Sequence, residues 1–379
     1  MPASFDDSDV DLVPQESTNK HATSFAVLLS AMVASKSNLL LITYFRCQIN
    51  LTKIAPFPYD SFGMGGGLRI ALTGCNAVIG KKCLENLHLF EGLERLVVFD
   101  IQPPAIQDKR VLYYQVDLAQ PGVEQEMASV LKDEGITAFL HAAFFWNTTM
   151  DSEWAHEVES VGTDRVLASV IEAKVKRFVL TSSATVYGIT HRNATPLAES
   201  APLVATKTLP PWRDKVEADM KVQKIAEENK GITVTIIRSA ILLHRSIDRF
   251  LSRTLALRFI PVFMGFDPIF QFVHPDDLIL FYVKALSEDH GGVFNVAPED
   301  VIALSDFIKL GKKMAIPLPH VPFSSLYRIL WASGIGEVHP AFLNFLRFSL
   351  VVDGRKAQKE FGISPRSTLD TVREFLGVS

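Results

Sequence analysis

The chain has 379 residues, 48% of them hydrophobic, and a formal net charge of −4 at neutral pH. This is enough apolar material for one large or two modest packed domains, and the scattered basic residues exclude a nucleic-acid-binding surface. Three cysteines (Cys47, Cys75 and Cys83) form no CxxC pair, and the ten histidines lack metal-ligand spacing, so neither a disulfide framework nor a metal is expected and a reducing, cytoplasmic setting fits.

Residues 1–66 read as an N-terminal extension. The leader is acidic, with Asp6, Asp7, Asp9, Asp11 and Glu16, whereas a signal peptide wants a basic one. Ala22–Ser35 is uncharged and Leu39–Phe45 is apolar, but Lys36 interrupts them short of the roughly 20 apolar residues that a spanning helix needs. A packed or disordered accessory segment is the expectation, with membrane contact by residues 22–45 the subordinate alternative.

From residue 67 the pattern changes. Leu68-Arg69-Ile70-Ala71-Leu72 predicts a strand, Thr73-Gly74-Cys75-Asn76-Ala77-Val78-Ile79-Gly80 a glycine-rich turn, and Ile79, Cys83, Leu84 and Leu87 a helix. A second strand, Leu96–Phe99, closes on Asp100. Strand, tight turn, helix, strand and a terminal acid describe the first βαβ unit of a dinucleotide-binding fold. The turn brings free N–H groups and a positive helix end to a pyrophosphate. Asp100 can accept both ribose hydroxyls of an adenosine and would repel a 2′-phosphate, which favours NAD over NADP; Lys81 and Lys82 soften that preference. Ala77 stands where the motif wants glycine. A methyl there would crowd the phosphates and a left-handed backbone would cost about 1 kcal/mol, so weak or altered cofactor binding is one expectation.

Further strands follow at Val111–Val116, ending in Asp117-Leu118, at Ala138–Ala143, at Arg177–Thr181 and at Thr233–Ile237. Helices are predicted over Glu159–Ala173 and around Val216, Met220, Ile225 and Ala226, the latter with a Glu217–Lys221 pair and Gly231 as its C-cap. Continuous apolar strands between helices predict an α/β fold, a Rossmann-like doubly wound parallel sheet over residues 67–245. Residues 246–379, richer in proline and aromatics, read as a smaller substrate lobe from which the chain can re-enter the sheet.

Taken together, these landmarks resemble the extended short-chain dehydrogenase/reductase superfamily, within it the NAD-dependent epimerase/dehydratase group, from about residue 68 to the C-terminus. The glycine run resembles TGxxGxxG. Asp117-Leu118 resembles the pair flanking the adenine, and His141-Ala142-Ala143-Phe144 the strand end beneath the cofactor. Ser182-Ser183-Ala184-Thr185-Val186-Tyr187-Gly188 resembles SSxxVYG, which places Ser183 at the catalytic serine. Phe272–Asp277 resembles FVHxDD. The resemblance implies NAD bound by Gly74, Asn76, Ala77, Val78, Ile79, Gly80, Asp100, Asp117, Leu118, His141, Ala142, Ala143 and Lys215. It also implies a small-molecule substrate, a nucleotide-sugar or a hydrophobic alcohol or ketone, and brings homodimerisation as an expectation.

In this superfamily a tyrosine phenolate takes the substrate proton, with its pKa lowered by a lysine four residues on. Asp214-Lys215-Val216-Glu217 resembles the helix carrying that lysine, which puts Pro211 at the tyrosine position. No tyrosine of the chain has lysine four residues later. Lys215 gripping the nicotinamide ribose and Lys215 as a solvated charge stay open. Tyr187 and His191 are candidate proton donors, each with a plain structural role as the alternative. Two readings follow: an oxidoreductase or epimerase with an atypical site, or an NAD-binding sensor or scaffold without turnover.

Overall fold

The computed structural model describes residues 67–144, 152–193, 195–204, 210–247, 249–336 and 338–378. The N-terminal extension, with its apolar residues 22–45 and Cys47, lies outside the described residues. Seven strands form one parallel sheet: β1 (Leu68–Thr73), β2 (Leu93–Asp100), β3 (Val111–Gln115), β4 (Ala138–His141), β5 (Arg177–Ser183), β6 (Thr233–Ser239) and β7 (Gly292–Val296). Their order is β3-β2-β1-β4-β5-β6-β7, with every neighbour parallel. Strand order reverses between β1 and β4, and the crevice beyond their carboxyl ends is where such sheets bind ligands.

Successive residues of a strand point to opposite faces. On one face Ile70, Leu72, Val98 and Leu140 join a core with α1 (Val78–Glu85). On the other, Ala71, Val97, Phe99 and Phe139 pack with α2 (Val123–Asp133). Uninterrupted apolar strands therefore mark a sheet covered twice. A short helix, α3 (Ser152–His156), runs through a π-type turn at Glu157–Val161 into α4 (Gly162–Glu172), which joins the second core. The long helix α5 (Pro210–Glu228) follows and divides its buried residues between the cores, Val216 to the first and Ala218 and Val222 to the second.

Three local expectations fail. Met220 is exposed. Lys221 bonds across to Asp164 (2.7 Å) and Ser160 rather than to Glu217, because α4 and the π-type turn bring better acceptors than α5's own next turn. Gly231 lies beyond the end of α5 and is not left-handed, so it caps nothing.

After β6 come α6 (Phe250–Ala256), α7 (Pro275–Ser287), α8 (Leu304–Leu310), α9 (His320–Ala332), α10 (Arg355–Phe361) and α11 (Thr368–Leu376), with three two-stranded ladders; Phe250, Phe307, Phe342 and Phe375 join the same core as the first face of the sheet. Between α7 and α8 the chain returns to the main sheet as β7. His274 caps α7 by accepting from the Asp276 backbone N–H at 3.2 Å. Asp277 receives the Arg366 backbone N–H and two guanidinium bonds, locking α7 to the C-terminal segment.

Candidate functional site

The glycine turn is built by close approach. Gly74 has φ +75°, and a Cβ there would stand 2.6 Å from the carbonyl of Ala142 and from the Cα of Ala143. Gly80, one turn into α1, lies so close to Gly74 and Cys75 that a Cβ would overlap the Gly74 carbonyl oxygen. Both positions therefore need glycine, and they press the N-terminus of α1 against the end of β4. Gly74→Ala combines a left-handed alanine with a backbone clash and is expected to cost about 2–4 kcal/mol, measured by thermal melting. The left-handed strain considered for Ala77 is absent. Ala77 is the N-cap of α1 with φ −71° and ψ 161°, an extended conformation that costs an alanine nothing. Val78 and Ile79 open the helix behind it, Ile79 buried.

Asp100 ends β2 facing this turn. Its carboxylate accepts the backbone N–H of Asn76 at 3.4 Å and of Gln102 at 3.3 Å, both long bonds that a hydroxylated ligand can replace. The Asn76 side chain donates to the Gln102 carbonyl at 3.2 Å. Lys82 does not lean toward a 2′-phosphate. It is held by Asp276 at 2.8 Å and by Glu85 at 3.4 Å. Asp117 holds its own turn through the Ala119 N–H (2.9 Å), and Leu118 is buried beside Gly162.

His141 is fully buried, with Nδ1 2.6 Å from the Thr73 hydroxyl and Nε2 3.0 Å from that of Thr163. Burial, and then the charge of Lys215, push its pKa down to about 3, so the ring is neutral. It ties β1 and β4 to α4, and only its strand's backbone is left to face a ligand. Phe144, directly after Ala142 and Ala143, carries the crevice toward α5, where the Lys215 ammonium sits 4.3 Å from its ring centroid.

Lys215 is 3% exposed. Burial lowers its pKa to about 8; the Glu159 carboxylate opposes that shift, and the nearby Arg249 guanidinium adds to it. The side chain of Pro211 lies outside the described atoms, but its residue falls in the first turn of α5, one turn before Lys215. Ser183 ends β5, where its hydroxyl accepts from the Thr185 N–H (3.3 Å) and hydroxyl (3.1 Å). Tyr187 is committed elsewhere. Its hydroxyl donates to Asn295 (2.8 Å) and receives Arg238 (2.9 Å), and burial raises its pKa, which is unsuited to proton exchange near neutrality. His191 is exposed at the surface beside Phe348.

Sequence reasoning missed Glu159 and Arg249. Glu159 is buried within the π-type turn, a distortion frequent at functional sites. Its signal was present: it lies seven residues before Val166, on the apolar face of the predicted helix, where an acid is out of place. Among the described residues two His/acid trios also come within ligating distance, His156–Asp214–Glu217 and His244–His274–Glu374. In the second, Nδ1 of each histidine accepts a backbone N–H (from Ser246 and from Asp276), which leaves Nε2 carrying the proton and opposes metal ligation there.

The model of one family, "NAD dependent epimerase/dehydratase family", matches residues 70–297. Uncharacterized protein Rv0501 of Mycobacterium tuberculosis is 23% identical over 313 residues, covering 81% of this chain and 82% of that protein. Among solved structures, MoeE5 in complex with UDP-glucuronic acid and NAD is 18% identical, with a TM-score of 0.62 over 82% of this chain and 97% of that one. A UDP-glucose-4-epimerase from Stenotrophomonas maltophila with bound NAD and formylated UDP-arabinopyranose is 17% identical, also at TM-score 0.62, covering 82% and 97%. At these identities the structures share the fold with this chain.

Proposed function

The chain belongs to the NAD dependent epimerase/dehydratase family, and from that premise we propose that it is an NAD-dependent oxidoreductase of the extended short-chain class in which Lys215 exchanges the substrate proton. The cofactor, when bound, would accept the hydride as NAD in alcohol oxidation and donate it as NADH in carbonyl reduction. The Gly74–Gly80 turn fits its pyrophosphate, because side chains are excluded where the backbone must approach, and Asp100 fits its ribose. Neighbours of the same fold carry NAD.

The observation that carries the reading is Lys215, a buried amine at the end of the crevice with a pKa of about 8. Phenol needs help to lose a proton near neutrality, whereas a lysine so tuned does not. Ser183 is placed to orient the reacting oxygen. Alcohol oxidation then sends the hydroxyl proton to the Lys215 amine, and carbonyl reduction returns it from the ammonium. For substrate we favour a hydrophobic alcohol or ketone over a nucleotide-sugar. The support is the apolar packing next to Lys215 along α5, where Trp212, three residues before it, packs on Phe342 and Phe345, and Phe250 on Phe342. We place the protein in the cytoplasm, consistent with the free, buried thiols of Cys75 and Cys83.

The test is calorimetric titration of the chain with NAD and NADH, followed by a screen of alcohols, ketones and sugar nucleotides at the nicotinamide absorbance band. Turnover with an apolar alcohol supports the reading. Saturation by NAD with no turnover favours the second reading, a silent sensor, for which Pro211 in place of tyrosine is the specific observation; absence of saturation ends both. Asp100→Ala is expected to weaken NAD about tenfold or more through lost charge-assisted hydrogen bonds, and to narrow its margin over NADP.

A further inference from the structure

We propose that the outer face of α9, with Met264 beside its N-terminus, seats on the interface of an anionic lipid bilayer. The inner side of this helix is committed: Tyr327 is buried, and Phe323 packs against Phe263 at 5.7 Å over the apolar cleft. Its outer side carries apolar residues that nothing covers, with Val321 69% and Ile329 66% exposed and Leu326 also in solvent, and Arg328 exposed among them. Exposed aliphatic residues interspersed with a cation on one helix face are the pattern of a helix lying on a lipid surface. Thirteen residues are too few to cross a bilayer, so a helix lying in the interface is the form that fits.

Charge selects the occupant. Lys309 is paired with Asp306 at 2.9 Å, and from there to Asp353 the sole acid is Glu337, against Lys312, Lys313, Arg328 and Arg347, in a chain that is acidic overall. Arg347 and Arg328 both bear on His320 at the start of the helix, and, after burial, their charges hold its pKa down. A two-fold contact between copies of this face would set Arg328 against its own kind, whereas lipid phosphates and carboxylates neutralise it.

The experiment is co-sedimentation of the full chain with phosphatidylcholine vesicles, with and without phosphatidylserine. Binding is expected to the phosphatidylserine vesicles, to fall with added salt, and to drop about tenfold or more in Val321→Glu/Ile329→Glu, whose exposed positions leave the melting temperature unchanged. Absence of binding to either vesicle overturns the proposal. Binding that the double variant retains overturns it as well, since another part of the chain, such as residues 22–45, would then carry it. Sedimentation equilibrium covers the remaining case: a dimer that the double variant dissociates, with no vesicle binding, assigns the face to a second copy and overturns the lipid. None of these readouts depends on NAD or on turnover.

Discussion

Lys215→Met is expected to lower kcat/KM by about 10²–10⁴ with NAD affinity reduced far less, because a positioned proton-exchanging group contributes on that scale while the pyrophosphate and adenosine contacts lie elsewhere. Lys215→Arg is the sharper variant. It keeps a cation beside Phe144 and Glu159 but cannot release its proton near neutral pH, so a residue that merely holds charge would be rescued and a proton acceptor would not. The pH profile separates the two directions of reaction. With its pKa at about 8, the free amine grows in as pH rises, so alcohol oxidation should climb through that value and carbonyl reduction, which needs the ammonium, should fall through it. Glu159→Gln removes the carboxylate that favours the ammonium, so the inflection should move to lower pH. Initial rates in both directions across pH 6–10 with the four proteins check all of this. A profile unchanged in Lys215→Arg would remove Lys215 from the chemistry.

Six strands of the parallel sheet were legible because their evidence is local, each being an apolar run, whereas β7 was foreseen only as a return of the chain to the sheet. The glycine turn was legible for the same reason, although the strain expected at Ala77 was not real. Position in a motif does not fix a dihedral angle, and the chain enters α1 through an extended alanine while Gly74 alone takes the left-handed bend. The buried charges around Lys215 were illegible because they come from three distant segments, and only tertiary packing brings Glu159, Lys215 and Arg249 into one field. Tyr187 shows the converse. Its place in a strong local motif suggested chemistry, while its partners, Arg238 and Asn295, are 51 and 108 residues away and assign it to the framework.

That framework supports the second large expectation: Asp219→Asn should destabilise the chain by about 3–5 kcal/mol, roughly half of an ordinary protein's stability. Asp219 and Arg238 are both sealed from solvent and face each other through two bonds, Nε to Oδ2 at 2.9 Å and Nη2 to Oδ1 at 2.6 Å. Ser182 (2.6 Å) and Gln223 (2.8 Å) also donate to the carboxylate, so every oxygen is satisfied only while it is ionised. The amide keeps the shape but turns one acceptor into a donor aimed at a guanidinium that cannot discharge. Replacing both partners by apolar residues, Asp219→Leu with Arg238→Met, should recover part of the loss, since the penalty lies in the unpaired ion more than in the missing attraction. Melting curves of the two single variants and the double variant measure the coupling directly. Ser182 is anchored by Asp219, and its neighbour Ser183 is the residue we propose to orient substrate, so on that proposal the apolar double variant should fold and bind NAD while turning over slowly. Full activity in that variant would show that Ser183 is held by its bonds to Thr185 alone.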